Sequence, residues 1–428
     1  MESQRLLSND SLLIWHPCMQ QKNFESFPPI FIKEAKGVYL YGKDSKSYID
    51  AISSWWVNIL GHKNPKIDKA IKAQLDSFAH IMTANFTHEP MIKLADRLTK
   101  LTKNRLGKVF FADNGSSAIE AALKMAFQYH KNKGATKKLF VALENSYHGE
   151  TLGALSVGDV EIYKKTFAPI LLQTITSKAP KDTSDTQSKQ ALLELEKIFY
   201  EKGDEIAAFI IEPLVQCAGN MQMHSPDFLS GAKKLCEKYG VLFIADEIAV
   251  GFGRTGTFFA HEKANITPDI MCLSKGITGG YLPLSVVLCT NEIYEAFYGD
   301  GIEKAFLHSH SYSGNALGCA AANAVLDIFE EESILKSLEP KIKKINEELE
   351  NIKGLKAVSN VRQTGMIAAF EAELAIQNVS KHIFEEGIKN GVFLRPLGNT
   401  VYIMPPYCIE NSEIEKIFDV IKKIITRQ

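Results

Sequence analysis

An α/β fold built on a mostly parallel sheet is predicted by three features of the sequence. Short runs such as 139–143, 207–211 and 241–245 are apolar without alternation, as strands buried on both faces must be. Helical patterns separate these runs, which is how parallel strands are joined. After about residue 325 charged amphipathic helices take over with few strand-like runs, which predicts a second, smaller α+β domain. The expected division is residues 1–60 as an N-terminal segment, 61–325 as the large domain and 326–428 as the small one.

The elements follow in order. Two β-prone runs around the polar turn at 43–46 predict a hairpin within residues 37–50. Asn64-Pro65 opens a helix to Phe78, with Ile67, Ile71, Leu75 and Phe78 on one face. A second helix is expected over 90–99. Strand 108–112 then runs into the polar group Asp113-Asn-Gly-Ser-Ser117, which opens a helix through about His130. Further strands are expected at 139–143, 207–211, 241–245, 270–273 and 284–288, with helices over 191–200 and 228–239 among them. In the last hundred residues a helix over 339–352 has Pro340 in its first turn, and another starts near Ser412. Strand-like runs at 366–370 and 391–394 lie between.

Composition excludes several classes of function. A formal net charge of -1 offers no attraction for nucleic acid or an anionic membrane. The seven cysteines are scattered and form no CxxC pair, so they read as small buried hydrophobes in a reducing compartment. The first ten residues are polar and no run approaches membrane-spanning length. A cytoplasmic protein is expected.

The candidate chemistry sits at strand ends. Lys275 follows the strand 270–273 and precedes the glycine-rich Gly276-Ile-Thr-Gly-Gly280, while Asp246 ends the apolar strand 241–245. A lysine and a carboxylate at the carboxyl ends of neighbouring strands could hold a pyridine ring between them, the carboxylate keeping its nitrogen protonated. The plain alternative for Lys275 is a solvated surface side chain. Gly115, Ser116 and Ser117 at a helix start suit a phosphate, although an ordinary cap would look the same. Tyr147, after another strand, could stack on a planar group. Gly251-Phe-Gly253-Arg-Thr-Gly256 matches the dinucleotide pattern literally, but no helical pattern follows it. His308-Ser-His310 offers two imidazoles and no third ligand nearby in sequence, so no metal site is expected.

These pieces together resemble the class III, or ω-type, aminotransferases of the pyridoxal-phosphate-dependent fold type I superfamily, over nearly the full chain. The resemblance rests on Ser54-Trp-Trp56, Asp113-Asn-Gly-Ser-Ser117, Tyr147-His-Gly149, Ile211-Glu-Pro213, residues 245–256, Ser274-Lys-Gly276, residues 311–315 and Leu394-Arg-Pro396. It implies pyridoxal 5'-phosphate attached to Lys275, paired with Asp246, covered by Tyr147 and held at its phosphate by Gly115, Ser116 and Ser117. Ser311 would be supplied across the boundary of a homodimer. Trp56, Tyr147, Arg254, Arg395 and Tyr402 would contact substrate. The first sixty residues would contribute to the small domain and the active site, and residues 61–325 would bind the cofactor.

Within the class the likeness is to the branch that acts in biotin synthesis. It implies 8-amino-7-oxononanoate as amine acceptor and S-adenosylmethionine as donor, with lysine, or a different class III reaction, as the alternative. The chain departs from that pattern at Cys18, where a tyrosine is usual, and at Glu150, where aspartate is. It departs again at Ser309-His310-Ser311, where Gly-Pro-Thr is usual. Ser311 keeps a hydroxyl, whereas Cys18 removes an aromatic face from the expected donor pocket.

Overall fold

The protein is described by a computed structural model covering residues 2–426. Met1, Arg427 and Gln428, which the expected terminal segments include, lie outside the described residues. Seven strands form the main sheet in the order Lys108–Ala112, Ser285–Cys289, Ile270–Leu273, Leu242–Asp246, Ile206–Ile211, Leu139–Leu143 and Ile175–Ser177. The last five pair in parallel, and Ser285–Cys289 runs against both of its neighbours. The sheet is thus mostly parallel, as the unbroken apolar runs predict. Alternate residues supply both faces: Phe209, Ile211, Phe243 and Ala245 pack on one side, and Ala208, Ile210, Ile244 and Cys272 on the other.

Helix starts carry their own side-chain caps. Asn114, Ser184, Ser225 and Asn315 each accept a hydrogen bond from the amide three residues on. The Ser184 cap explains why the helix expected at 191–200 begins earlier, at Asp185. A second difference lies at Pro340, expected in a first turn but found inside the helix Ile334–Lys353. Burial of Ile334 and Leu338 outweighs the one hydrogen bond that the proline cannot donate. The Gly251–Gly256 segment is a run of turns that leads to the short 3-10 helix Ala260–Ala264. Cysteine burial also differs from expectation: all seven thiols are free, but Cys18 and Cys408 are exposed. Among the described residues no helix is long and apolar enough to cross a membrane.

The start of the chain is built into its end. Ile32–Lys36 pairs with Tyr39–Gly42, which forms the expected hairpin with Ser47–Asp50, and that strand pairs in parallel with Val392–Phe393. Val358–Thr364, Ile367–Ala372 and Thr400–Ile403 form a separate antiparallel sheet. Between the two, Met404 donates to the Ala51 carbonyl at 2.8 Å and Tyr407 to that of Ile59 at 2.7 Å.

This junction holds an unusual turn. Ser53, Ser54, Trp55 and Trp56 have φ of +53°, +46°, +70° and +75°, one left-handed helical turn closed by Trp56 N to Ile52 O at 2.9 Å. Left-handed backbone costs L-residues roughly 1–2 kcal/mol each, so the turn needs outside support. Asp50, fully buried, provides much of it. Its Oδ1 accepts from the amides of Ser54 (2.9 Å) and Ile52 (3.4 Å), and its Oδ2 from the Ser54 hydroxyl (2.7 Å) and His62 Nε2 (3.0 Å). Ser53 Oγ donates to the Met404 carbonyl at 2.7 Å. Replacing Asp50 by Ala leaves these donors unpaired beside a strained backbone. Urea unfolding should show Asp50→Ala less stable by about 3 kcal/mol, with faster amide exchange confined at first to residues 52–58.

Candidate active site

Strand register brings the ionisable residues together. Ala245 is the register partner of Ile211, and Asp246 that of Cys272. Glu212, Asp246 and Lys275 therefore leave three adjacent parallel strands at the same, carboxyl, edge, where open α/β sheets bind their ligands. A cavity of about 220 Å³ opens there, lined by Trp56, Tyr147, His148, Glu212, Asp246, Lys275 and the Asn114–Gly115–Ser116 segment. A larger groove of about 540 Å³, bounded by Met91, Ile92, residues 108–111 and Ser313, is more open and mainly aliphatic and aromatic. It gathers no comparable set of ionisable groups.

The electrostatics of the cavity start from Asp246, which is 4% exposed. His148 Nδ1 donates to its Oδ2 at 2.7 Å, and the Ile248 amide to its Oδ1 at 3.1 Å. The adjacent Glu247 serves the scaffold instead, accepting from the amides of Ala260 and His261 and from the His261 ring. Glu212 accepts from the Tyr147 amide at 3.0 Å and the Cys217 amide at 2.9 Å. Burial raises its pKa to about 7, partly offset by His148 and reinforced by Asp246. Burial also pushes the Lys275 ammonium below its usual value, against the pull of Asp246. Lys275 has a strained φ of +45°, and its Nζ lies 5.0 Å from the Trp56 ring centre.

The helix Gly115–Asn132 aims its N-terminus at the cavity. Asn114 takes the Ser117 amide at 3.1 Å, so Ser117 is spent partly on the cap and does not line the cavity. The amides of Gly115 and Ser116 have no acceptor within the helix. Ser116 Oγ accepts from the Glu150 amide at 3.2 Å. At Gly115 a Cβ would come within 3.2 Å of Ile248, so the backbone there can stay close to whatever the cavity holds.

The expected substrate residues divide into three groups. Trp56 and Tyr147 line the cavity. Tyr402, 2% exposed, stands behind Trp56 and accepts from its Nε1 at 3.1 Å. Arg254, expected to contact substrate, does not line the cavity. Its fully buried guanidinium donates to the carbonyls of Met404 (3.2 Å), Pro405 (2.7 Å) and Trp56 (3.2 Å), and it stacks on Tyr407. Arg254 thus uses these donors on the junction that carries the left-handed turn. Arg395 lies farther out, 4.4 Å from the Trp55 ring centre, and donates to the Cys18 carbonyl at 3.4 Å.

Two of the departures meet at this outer mouth. Glu150 Oε1 accepts from the Tyr147 hydroxyl at 3.0 Å and lies 3.9 Å from Cys18 Sγ. Burial and Glu150 raise the Cys18 pKa, so the thiol keeps its proton and acts as a weak donor. The longer Glu150 thus spans part of the space that the smaller Cys18 leaves. Ser311 is exposed on the surface of its own chain, away from this cavity; its carbonyl accepts from His80 Nε2 at 2.7 Å.

Sequence reasoning missed Glu212 and His148 as site residues. The signal was there for Glu212, which ends an apolar strand as Asp246 does. His148 needed the fold, because its partner Asp246 is 98 residues away.

The cavity suits a flat, phosphorylated aldehyde. It offers an amine disposed to be neutral, a buried carboxylate for a ring N–H, an aromatic wall and a helix N-terminus with free amides. The buried His148 Nε2 also has no hydrogen-bond partner among the described residues.

Comparison with known proteins agrees. The family pattern described as Aminotransferase class-III matches residues 19–425. The adenosylmethionine-8-amino-7-oxononanoate aminotransferase of Helicobacter pylori is 49% identical over 96% of both chains. Its counterpart from Geobacter sulfurreducens is 42% identical over 99% of this chain and 98% of its own. The crystal structure of the Methanocaldococcus jannaschii enzyme of that name superposes with a TM-score of 0.93 at 34% identity, covering 98% of this chain and 99% of that one. A pyridoxal-phosphate-bound amine transaminase from an uncultivated Pseudomonas species gives 0.91 at 29% identity, over 97% and 98%. With this strand-end cavity and a match along nearly its whole length, the chain belongs to the class III aminotransferases and works with pyridoxal phosphate.

Proposed function

We propose that this enzyme moves an amino group from S-adenosylmethionine to 8-amino-7-oxononanoate, giving 7,8-diaminononanoate in biotin synthesis, as a cytoplasmic homodimer. The observation that carries the substrate pair is the near full-length identity to relatives named for that reaction. Those names favour S-adenosylmethionine over lysine as donor.

Pyridoxal phosphate, when bound, supplies a carbonyl carbon that condenses with amines and a ring that draws electrons from the neighbouring C–H bond. Each side chain then has a definite task. Lys275, whose ammonium burial makes easier to deprotonate, would hold the cofactor through its carbonyl carbon and would carry the proton taken from the donor carbon. Asp246, held by His148, would accept the ring N–H, and a carboxylate at that nitrogen would help make the ring electron-poor. Tyr147 covers one face of the ring. The Gly115 and Ser116 amides receive the phosphate, joined by Ser117 and by Ser311 of a second copy.

Substrate is held farther out. Trp56, braced by Tyr402 and Arg254, walls the pocket, and Arg395 pairs with the far carboxylate of the oxononanoate, its planar donors matching both oxygens. Donor and acceptor occupy the same space in turn, so ping-pong kinetics follow.

Borohydride reduction followed by peptide mass analysis should place the pyridoxyl group on Lys275, and a label on another lysine would refute the assignment. Lys275→Ala should keep some cofactor and lose about a thousandfold in transamination. Because burial lowers the Lys275 pKa from 10.5, the rate of cofactor attachment should rise with pH about a midpoint below that value.

For Arg395, stopped-flow half-reactions separate donor from acceptor. Arg395→Ala should weaken productive use of the acceptor by about 2–5 kcal/mol while barely slowing the donor half-reaction. Equal damage to both would remove Arg395 from this role.

A further inference from the structure

Four side chains outside the cavity form one continuous hydrogen-bonded chain. Lys124 Nζ lies 2.9 Å from His308 Nδ1, His308 Nε2 lies 3.2 Å from His310 Nε2, and His310 Nδ1 lies 3.0 Å from Asp113 Oδ2. The chemistry of its ends sets its direction. A lysine ammonium can only donate and a carboxylate can only accept. His308 Nδ1 must therefore be bare, which places its proton on Nε2. His310 Nε2 must accept that proton's bond, which places its own proton on Nδ1, facing Asp113. One pattern of two neutral imidazoles satisfies every link. A proton added to either ring sets two donors against each other at one link. Among the described residues no group of three or more His, Cys, Asp or Glu side chains is placed to hold a metal ion.

Its location gives it a use. Asp113 immediately precedes the Asn114–Gly115–Ser116 segment that lines the cavity, and His310 immediately precedes Ser311. On its other side the Ser311 loop is tied down separately. His80 bonds the Ser311 carbonyl, the Thr83 hydroxyl that of Ser313 at 3.4 Å, and His88 that of Gly314 at 2.8 Å. His310 stands where proline is usual in the family pattern, and a proline could make neither of these side-chain contacts.

We propose that Lys124, His308, His310 and Asp113 are positioning residues that hold the Ser311 loop in register with the phosphate-binding turn at 114–116, and that they do so only while both imidazoles are neutral. This inference rests on the reading that Ser311 serves the cofactor phosphate of a second copy. In each subunit the device links the turn that serves its own site to the loop that serves its neighbour's.

The surroundings set the direction of the pH effect. The charged or titratable groups facing the imidazoles are Asp113, Lys124, Glu120, which is engaged by the amides of Gly153 and Ala154, and His80 beneath the Ser311 carbonyl. Burial, then the Lys124 and His310 charges, lowers the His308 pKa from its usual 6.5. A histidine whose folded pKa is depressed stabilises the fold above its unfolded pKa and loses that stabilisation as pH falls. The chain is therefore complete at pH 8 and is lost as pH falls through the lowered His308 value.

The test is cofactor affinity, measured by absorbance titration of stripped full-length protein at pH 8 and pH 5.5. Each variant is expressed as a ratio to wild type at the same pH, which cancels shared pH effects. His310→Ala should bind pyridoxal phosphate about fivefold more weakly at pH 8, with the ratio closing towards one at pH 5.5. Lys124→Met should show the same closing ratio without touching the loop itself. His310→Gln, whose amide oxygen can accept from His308 and whose amide nitrogen can donate to Asp113, should recover most of the affinity at pH 8. If Ser311→Ala binds as wild type does, the reading of Ser311 fails. If Ser311→Ala is weakened while both His310→Ala and Lys124→Met bind normally, or are weakened equally at both pH values, the proposal is overturned.

Discussion

A single buried carboxylate governs the site. Asp246 leaves its strand inside the protein, 4% exposed, where a charge is costly unless its partners are fixed. The partner that the protein supplies is His148, 2.7 Å away. Glu212, on the next strand, sits in a similar burial, and its pKa is raised to about 7, with Asp246 adding to the rise. The two carboxylates lie one strand apart; Asp246 accepts from an imidazole, whereas Glu212 accepts from two backbone amides. Beside them, desolvation leaves Lys275 readier to lose its proton than a surface lysine.

The opposite wall is held by strain under tension from several sides. Trp56 ends a left-handed turn that no local preference favours, and three separate parts of the chain hold it. Asp50 binds the turn from within, Tyr402 takes the indole N–H, and Arg254 takes the Trp56 carbonyl. Arg254 and Tyr402 thereby brace the wall that Trp56 gives the cavity. The same bonds explain why the N-terminal segment shares a sheet with Val392–Phe393: the pocket wall is assembled from both ends of the chain.

Much of this was legible in the sequence. Apolar strands without alternation gave the parallel sheet, and the ends of two of them gave Lys275 and Asp246, because at a buried sheet edge a charged residue stands out. Side-chain direction was not legible. Arg254 reads as a substrate ligand, and its three carbonyl partners, from distant segments, emerge only in the fold. His148 reads as a loop residue until Asp246 appears beside it. Pro340 inside a helix and the four left-handed residues at 53–56 break local rules, and tertiary contacts alone keep them there. The exposure of Cys18 is likewise set by the mouth of the pocket and not by the apolar character of a thiol.

The central claim is that the Asp246 charge drives the chemistry and does more than retain the cofactor. It is tested by a single-turnover donor half-reaction on Asp246→Asn loaded with pyridoxal phosphate. Asparagine keeps the size of the side chain and removes the charge. The account predicts that cofactor still becomes attached to Lys275, while its conversion to the amine form slows by at least about a hundredfold. A variant that loads normally and converts at the wild-type rate would contradict it.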